Sequence, residues 1–185
     1  MGNALQVGRT DTTSDLFSEG GFAARNDRWL TPLSLVRSLG HFDLDPCGAP
    51  GHDTADEVWT PELVGDGLAM PWTGRVWLNP PYGRTMADWV RALAHHGSGI
   101  ALIFARTETV LFHELVWPIA DSILFLKGRL TFLDPEGGKP IANSGAPSVL
   151  IAYSPADTAA LASCGLAGHL VRLRKTRLEE TEDEL

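Results

Sequence analysis

The chain is short of cysteine, of basic charge and of long apolar runs. Only Cys47 and Cys164 occur among its 185 residues, too few for a disulfide framework, which points to a reducing, cytoplasmic setting. No apolar run approaches the roughly 20 residues of a membrane span, and the polar N-terminus has no signal-peptide core, so no membrane partner is expected. Lys and Arg number 15 against 23 Asp and Glu, a formal net charge of −8, which speaks against coating nucleic acid by bulk charge. Internal repeats are missing too, since Thr31-Pro32 and Thr60-Pro61 are echoes too short to count.

What is present is a globular composition. A hydrophobic share of 44% excludes a mainly disordered chain, and the length suits one domain of about 100–200 residues. The charge is uneven: Glu179, Glu180, Glu182, Asp183 and Glu184 crowd the last seven residues, and without them 18 acids face 15 bases. Twelve of those bases are Arg, which forks onto phosphate or carboxylate better than Lys does. The expected organisation is a flexible leader over residues 1–26, one domain over 27–174 and a charged, disordered tail over 175–185.

Punctuation and periodicity place the elements. Thr31 as cap and Pro32 as first helical residue start a short helix that Gly40 ends. FDLDP (42–46) reads as a strand entering a turn, EVW (57–59) as a second strand and RVWLN (75–79) as a third. Met86, Trp89, Val90 and Leu93 fall at i, i+3, i+4 and i+7 of a helix, with Thr85 as cap and Asp88 as its capping-box acid. IALIFA (100–105) has the continuous apolar character of a strand buried on both faces. A helix over about 108–117, strands at 122–127, 129–133 and 148–153, a helix over 155–164 behind Ser154-Pro155, and a last strand at 169–174 complete the pattern. Early strand–helix alternation followed by a strand-rich second half predicts an α/β fold with a mostly parallel central sheet and an antiparallel edge.

The chemistry concentrates in Asn79-Pro80-Pro81-Tyr82, directly after the strand RVWL. In an open parallel sheet, ligands bind beyond the carboxyl ends of the strands. The Asn79 side-chain oxygen and the Pro80 carbonyl can both accept hydrogen bonds from one exocyclic NH2, and Pro80 and Pro81 stiffen the backbone that presents them. Tyr82 offers a flat face for a planar base. Held this way, the amino nitrogen directs its lone pair out of the ring plane toward an electrophilic methyl, and no nucleophilic side chain is needed. The bland alternative is a Pro-Pro turn with an incidental Tyr.

The ordered set WLTP (29–32), FDLDPCG (42–48), DGLAMPW (66–72), GRVWLNPPYG (74–83), ARTET (105–109), KGRLTF (127–132) and APSV (146–149) resembles the phage-type DNA N-6-adenine methyltransferases, over about residues 26–153. The resemblance implies a Rossmann-like, S-adenosylmethionine-dependent methyltransferase fold and methyl transfer to adenine N6 in DNA, on a base flipped out of the duplex or already single-stranded. It assigns Asn79, Pro80, Pro81 and Tyr82 to catalysis. Thr31, Pro32, Asp45, Pro46, Cys47 and Gly48 fall at the cofactor, with Asp66 for its adenine or amino group and Glu57, rivalled by Asp53 and Asp56, for its ribose. Amino methylation of cytosine N4, RNA or protein glutamine, and a non-catalytic nucleic-acid-binding scaffold, stand as alternatives.

Four bases, Arg84, Arg106, Lys127 and Arg129, border strand ends on the same edge and are the expected DNA phosphate contacts, with surface ion pairs as the alternative. Cys47 after Pro46 raises the idea of a nucleophilic thiol, which would need electropositive activation; a packed small residue is the other reading. His41, Cys47 and His52 lack paired ligand spacing, so no metal is expected. Of the six Trp, Trp72 is the one closing a loop near the site. No separate target-recognition domain fits, which leaves loops such as 48–74 and 134–147, or a second subunit, for any sequence preference.

Overall fold

The computed structural model describes residues 29–134, 140–143 and 145–173. The leader expected over 1–26 and the tail expected over 175–185 lie outside the described residues. The order is α1 (Leu33–Ser38), β1 (Leu44–Asp45), β2 (Glu57–Val58), α2 (Pro61–Val64), β3 (Val76–Leu78), α3 (Met86–His96) and β4 (Gly99–Phe104). A π-helical turn at Phe112–Val116 follows, then β5 (Ser122–Leu126), β6 (Thr131–Leu133), β7 (Pro140–Asn143), β8 (Ser148–Ala152), α4 (Pro155–Ser163) and β9 (Gly168–Arg172).

Seven strands form one sheet in the order β2-β1-β3-β4-β8-β5-β9, and β6 pairs with β7 in a separate antiparallel hairpin. Alternation along the strands divides the core into two layers. Val76, Leu78, Ala101, Ile103, Val149 and Ile151 face Trp89, Val90 and Leu93 of α3 and the π-helical turn. Trp77, Ile100, Leu102, Leu150 and Ala152 face Leu35, Val36 and Leu39 of α1 and Leu161 of α4. Helices therefore cover both faces, and every residue of β8 is buried, which explains its unbroken apolar run.

The predicted sheet needs correcting in one respect. The ladders β2–β1, β1–β3 and β3–β4 are parallel, but β4–β8, β8–β5 and β5–β9 are antiparallel. The antiparallel part is thus half the sheet rather than its edge, because β8 inserts between β4 and β5 running against both. A strand buried on both faces reads the same in either direction, so its residues carried no signal of this.

Local corrections follow the same logic. Thr31 does not cap α1; Pro32 takes that position and the Thr31 hydroxyl is buried without a partner. Thr85 makes no side-chain cap to α3, and Asp88 accepts instead from Arg91 at 2.7 Å. Ser154 does cap α4, accepting from the Asp157 backbone N–H at 3.1 Å. The region expected as helix over 108–117 winds as the π-helical turn. Thr60-Pro61, set aside as an echo, starts α2 within loop 48–74, and β7 falls within loop 134–147. Among the described residues no helix is long and apolar enough to cross a membrane.

The amino edge of β3 and β4 is locked by one acid. Asp157 accepts from Arg75 Nε at 2.7 Å, from the Gly99 backbone N–H at 2.8 Å and from the Ser154 hydroxyl. Gly99 is required there, since a Cβ would meet the Val76 carbonyl oxygen at 2.2 Å. With that edge fixed, the carboxyl edge carries the loops described next.

Candidate active site

The loop after β1 is drawn in tightly. Asp45 is buried at its start, and its carboxylate accepts from the Cys47 N–H at 3.2 Å and from the Thr54 hydroxyl. A Cβ at Gly48 would meet Val58 Cγ1 at 2.4 Å and Asp45 Oδ2 at 3.0 Å, so only glycine lets the loop fold back over the acid. Burial raises the Asp45 pKa to about 6, partly opposed by the Thr54 and Cys47 hydrogen bonds.

A second loop locks onto the first. A Cβ at Gly67 would meet the Pro46 carbonyl oxygen at 2.2 Å. Asp66 folds its carboxylate onto the Leu68 N–H at 3.0 Å. Trp72 donates Nε1 to the Gly67 carbonyl at 2.8 Å and stacks on Trp89 with ring centres 6.1 Å apart. Trp72 therefore holds the loop.

Asn79-Pro80-Pro81-Tyr82 closes the remaining side, directly beyond β3. The Asn79 Nδ2 donates to the Trp29 carbonyl at 2.8 Å, which fixes the amide and leaves Oδ1 buried without a partner. The segment providing that carbonyl is itself tied down. Leu30 and Leu133 exchange backbone hydrogen bonds at 3.2 and 2.9 Å, Trp29 packs edge-on against Phe132, and His52 Nε2 meets the Thr31 carbonyl at 2.9 Å. Tyr82 stacks on Phe104 with ring centres 4.4 Å apart, and its hydroxyl is buried and unpartnered. Burial alone pushes that hydroxyl's pKa well above its ordinary value.

Thr31, Asp45, Pro46, Cys47, Gly48, Asp66, Asn79, Pro80, Pro81 and Tyr82 all line one open-mouthed cavity, with about 830 Å³ of empty space counting its mouth. Of five buried side-chain atoms lacking partners among the described residues, three belong to residues of this lining: Thr31 Oγ1, Asn79 Oδ1 and Tyr82 OH. Unsatisfied buried polar groups cost roughly 1–3 kcal/mol each, so a cavity concentrating them is built to receive hydrogen-bonding groups.

Several predicted residues fall elsewhere. Pro32 is outside the lining. Glu57 is exposed, also outside it, and accepts from Trp59 Nε1 at 2.6 Å; the acid that reaches the cavity from this side of the sheet is Asp45. Asp53 does not line the cavity. Asp56 sits with His41 and Asp43 in an exposed cluster whose ligand-type atoms lie within 4.8 Å of one another, so the grouping of His41 with Cys47 and His52 does not form. Cys47 is no activated thiol: burial first and the Asp45 charge second push its pKa well above the ordinary value, and Sγ contacts the Asn79 carbonyl at 3.4 Å.

Arg84 and Arg106 line a second cavity, which shares Tyr82 with the first. Lys127 and Arg129 flank Gly128 beyond the end of β5, exposed and outside both cavities. Thr54, His52 and Trp29 line the first cavity but were not expected as site residues. Trp29 at least stood within a quoted motif, whereas nothing in the spacing from Thr54 to Asp45 signals their hydrogen bond.

Comparison with known proteins adds to this geometry. Residues 22–166 match the family described as DNA N-6-adenine-methyltransferase (Dam). A DNA N-6-adenine-methyltransferase of Escherichia phage T1 is 26% identical over 151 residues, covering 69% of this chain and 62% of that relative. The chain thus spans less than two thirds of that relative's length. No solved structure matches.

Proposed function

The chain belongs to the DNA N-6-adenine-methyltransferase (Dam) family, and from that premise we propose that it transfers a methyl group from S-adenosylmethionine to the N6 amino group of adenine in DNA. The observation that carries this reading is Asn79, a residue of the cavity lining whose amide is locked by the Trp29 carbonyl so that its buried acceptor oxygen is left with no partner.

The residues present fit the cofactor. The Asp45–Gly48 loop offers backbone and a buried acid, Asp66 a second acid and Thr31 an unsatisfied hydroxyl, all on one lining. When bound there, S-adenosylmethionine supplies an electrophilic methyl group. A Rossmann-like methyltransferase fold is supported by the parallel half of the sheet, whose carboxyl edge carries this cavity.

The chain's own part is orientation. Asn79 Oδ1 and the Pro80 carbonyl accept the two hydrogens of the adenine amino group and turn its lone pair toward the methyl. As nitrogen becomes cationic these two hydrogen bonds strengthen, which lowers the barrier to in-line displacement. The Tyr82 ring, braced by Phe104, covers the base face. Duplex DNA must present the base flipped out, and the surplus proton leaves to water. The Cys47 thiol, held toward its protonated form by burial and by Asp45, fits a route with no covalent enzyme intermediate. The setting in which such an enzyme meets DNA is the cytoplasm, that of the host if a phage encodes it.

The test is incubation with tritiated S-adenosylmethionine and unmethylated DNA, RNA or protein, followed by digestion. Label in N6-methyladenine that disappears in Asn79→Ala is expected. Label in N4-methylcytosine, RNA or glutamine would reassign the substrate. DNA binding without transfer, while the cofactor binds, would make the chain a non-catalytic scaffold.

A further inference from the structure

Tyr82 belongs to two cavities, and the second is as roomy as the first, about 970 Å³ of empty space counting its mouth. Its chemistry differs. The floor is apolar, with Met86 from the start of α3 and Phe104 from the end of β4. The rim carries Arg84 and Arg106, both exposed, and no carboxylate lines the space. Neither guanidinium has a hydrogen-bond or ion-pair partner among the described residues, although Arg75 and Arg91 both find carboxylates. Thr109, the remaining polar side chain of the rim, is already turned onto the Arg106 carbonyl at 2.7 Å.

An apolar floor flanked by two unpaired guanidinium groups matches a nucleotide better than a simpler ligand. A bare anion gains nothing from Met86 and Phe104, and an apolar side chain gains nothing from two cations. A nucleotide uses both, through a flat base and flanking phosphates. We propose that this cavity is a subsite for the nucleotide adjoining the target adenine on the modified strand, with its base over Met86 and Phe104 and its phosphates against Arg84 and Arg106. Tyr82 then stands between two consecutive bases, one in each cavity. The proposal rests on the reading of the chain as a DNA adenine methyltransferase. It also assigns a kind of recognition: the Met86 and Phe104 floor has no hydrogen-bonding groups of its own and grips a base by its face, so the absence of that base is penalised.

The experiment uses the full chain, tritiated S-adenosylmethionine and single-stranded oligonucleotides holding one adenine, with an abasic residue placed immediately before or immediately after it. For the unaltered protein, KM is expected to rise about tenfold for one of the two placements. Thr109→Trp, which fills the cavity, and Arg106→Ala, which strips its rim, are each expected to raise KM for the intact oligonucleotide by about tenfold. Filling the cavity should also erase the abasic penalty. Calorimetric titration with S-adenosylmethionine, held in the other cavity, shows that each variant is folded. Transfer that is indifferent to both abasic placements, or a normal KM in a folded Thr109→Trp, overturns the subsite alone. If the unaltered protein methylates no adenine oligonucleotide, the DNA reading fails and the subsite falls with it.

Discussion

The two edges of the seven-stranded sheet are built from similar polar side chains and end in opposite states. At the amino edge, Asp157 satisfies Arg75, Gly99 and Ser154 at once, and Thr158 bridges Ser122 and Asp121 at 2.6 and 2.7 Å. At the carboxyl edge, Thr31 Oγ1, Asn79 Oδ1, Tyr82 OH and the Ser148 hydroxyl are buried with no partner; of the orphaned atoms among the described residues, only Arg75 Nη2 lies at the other edge. One edge gives its polar groups to the fold. The other leaves several of them unpaired, and that difference separates an anchoring edge from one with hydrogen-bonding capacity to spare more sharply than conformation or composition does.

Removing the anchor should produce the largest effect. Asp157→Ala leaves the partly buried Arg75 without its counter-ion and the buried Gly99 N–H without its acceptor, and breaking a fully buried pair, the upper bound here, costs roughly 3–5 kcal/mol. The melting temperature should fall by about 10 °C or more, while specific activity per folded molecule below the melt stays close to normal. A loss of activity without a loss of stability would erase the distinction between the edges.

Asn79→Ala tests the other side. Loss of one preorganised acceptor is expected to lower kcat by about 10²–10³-fold, with little change in melting temperature or cofactor affinity. Asn79→Asp sharpens the test, because it keeps an acceptor but cannot donate to the Trp29 carbonyl. Its kcat should fall between those of Asn79→Ala and the unaltered protein.

Asp45 belongs to the carboxyl edge and carries its cost in titration. Its pKa rises from 3.8 in the unfolded chain to about 6 in the fold, so the folded state holds the proton more tightly. Stability therefore falls as pH rises from about 4 to about 6 and is level above that, a penalty of order 3 kcal/mol at neutral pH. Asp45→Asn should melt higher than the unaltered protein above pH 6, with the gap closing toward pH 4, and should bind S-adenosylmethionine more weakly by calorimetry. Tyr82→Phe is the smallest change: it removes an unsatisfied hydroxyl and keeps the stack on Phe104, so the melting temperature should rise by about 2–4 °C with kcat nearly unchanged.

How much of this was legible depended on whether the signal was local. The α3 face of Met86, Trp89, Val90 and Leu93 and the strand preceding Asn79 follow from periodicity and punctuation, and the structure has both. The direction of β8 is a relation between distant strands and leaves no trace in its own residues. The site divides likewise. Asn79 to Tyr82 stood out as a motif, but the bond that aims Asn79 spans 50 positions to Trp29. A choice among Asp53, Asp56 and Glu57 had no periodicity to guide it, and none of the three lines the cavity.

The ties on residues 29–31 show how far ahead of α1 the site reaches. Leu30 is stitched to β6, Thr31 meets His52, and the Trp29 carbonyl sets the Asn79 amide. A chain trimmed to begin at α1 would keep every strand of the large sheet and lose the part that aims its key amide. Such a fragment would be a faithful scaffold with a mis-set tool, so the working unit reaches at least as far as Trp29, ahead of the first helix.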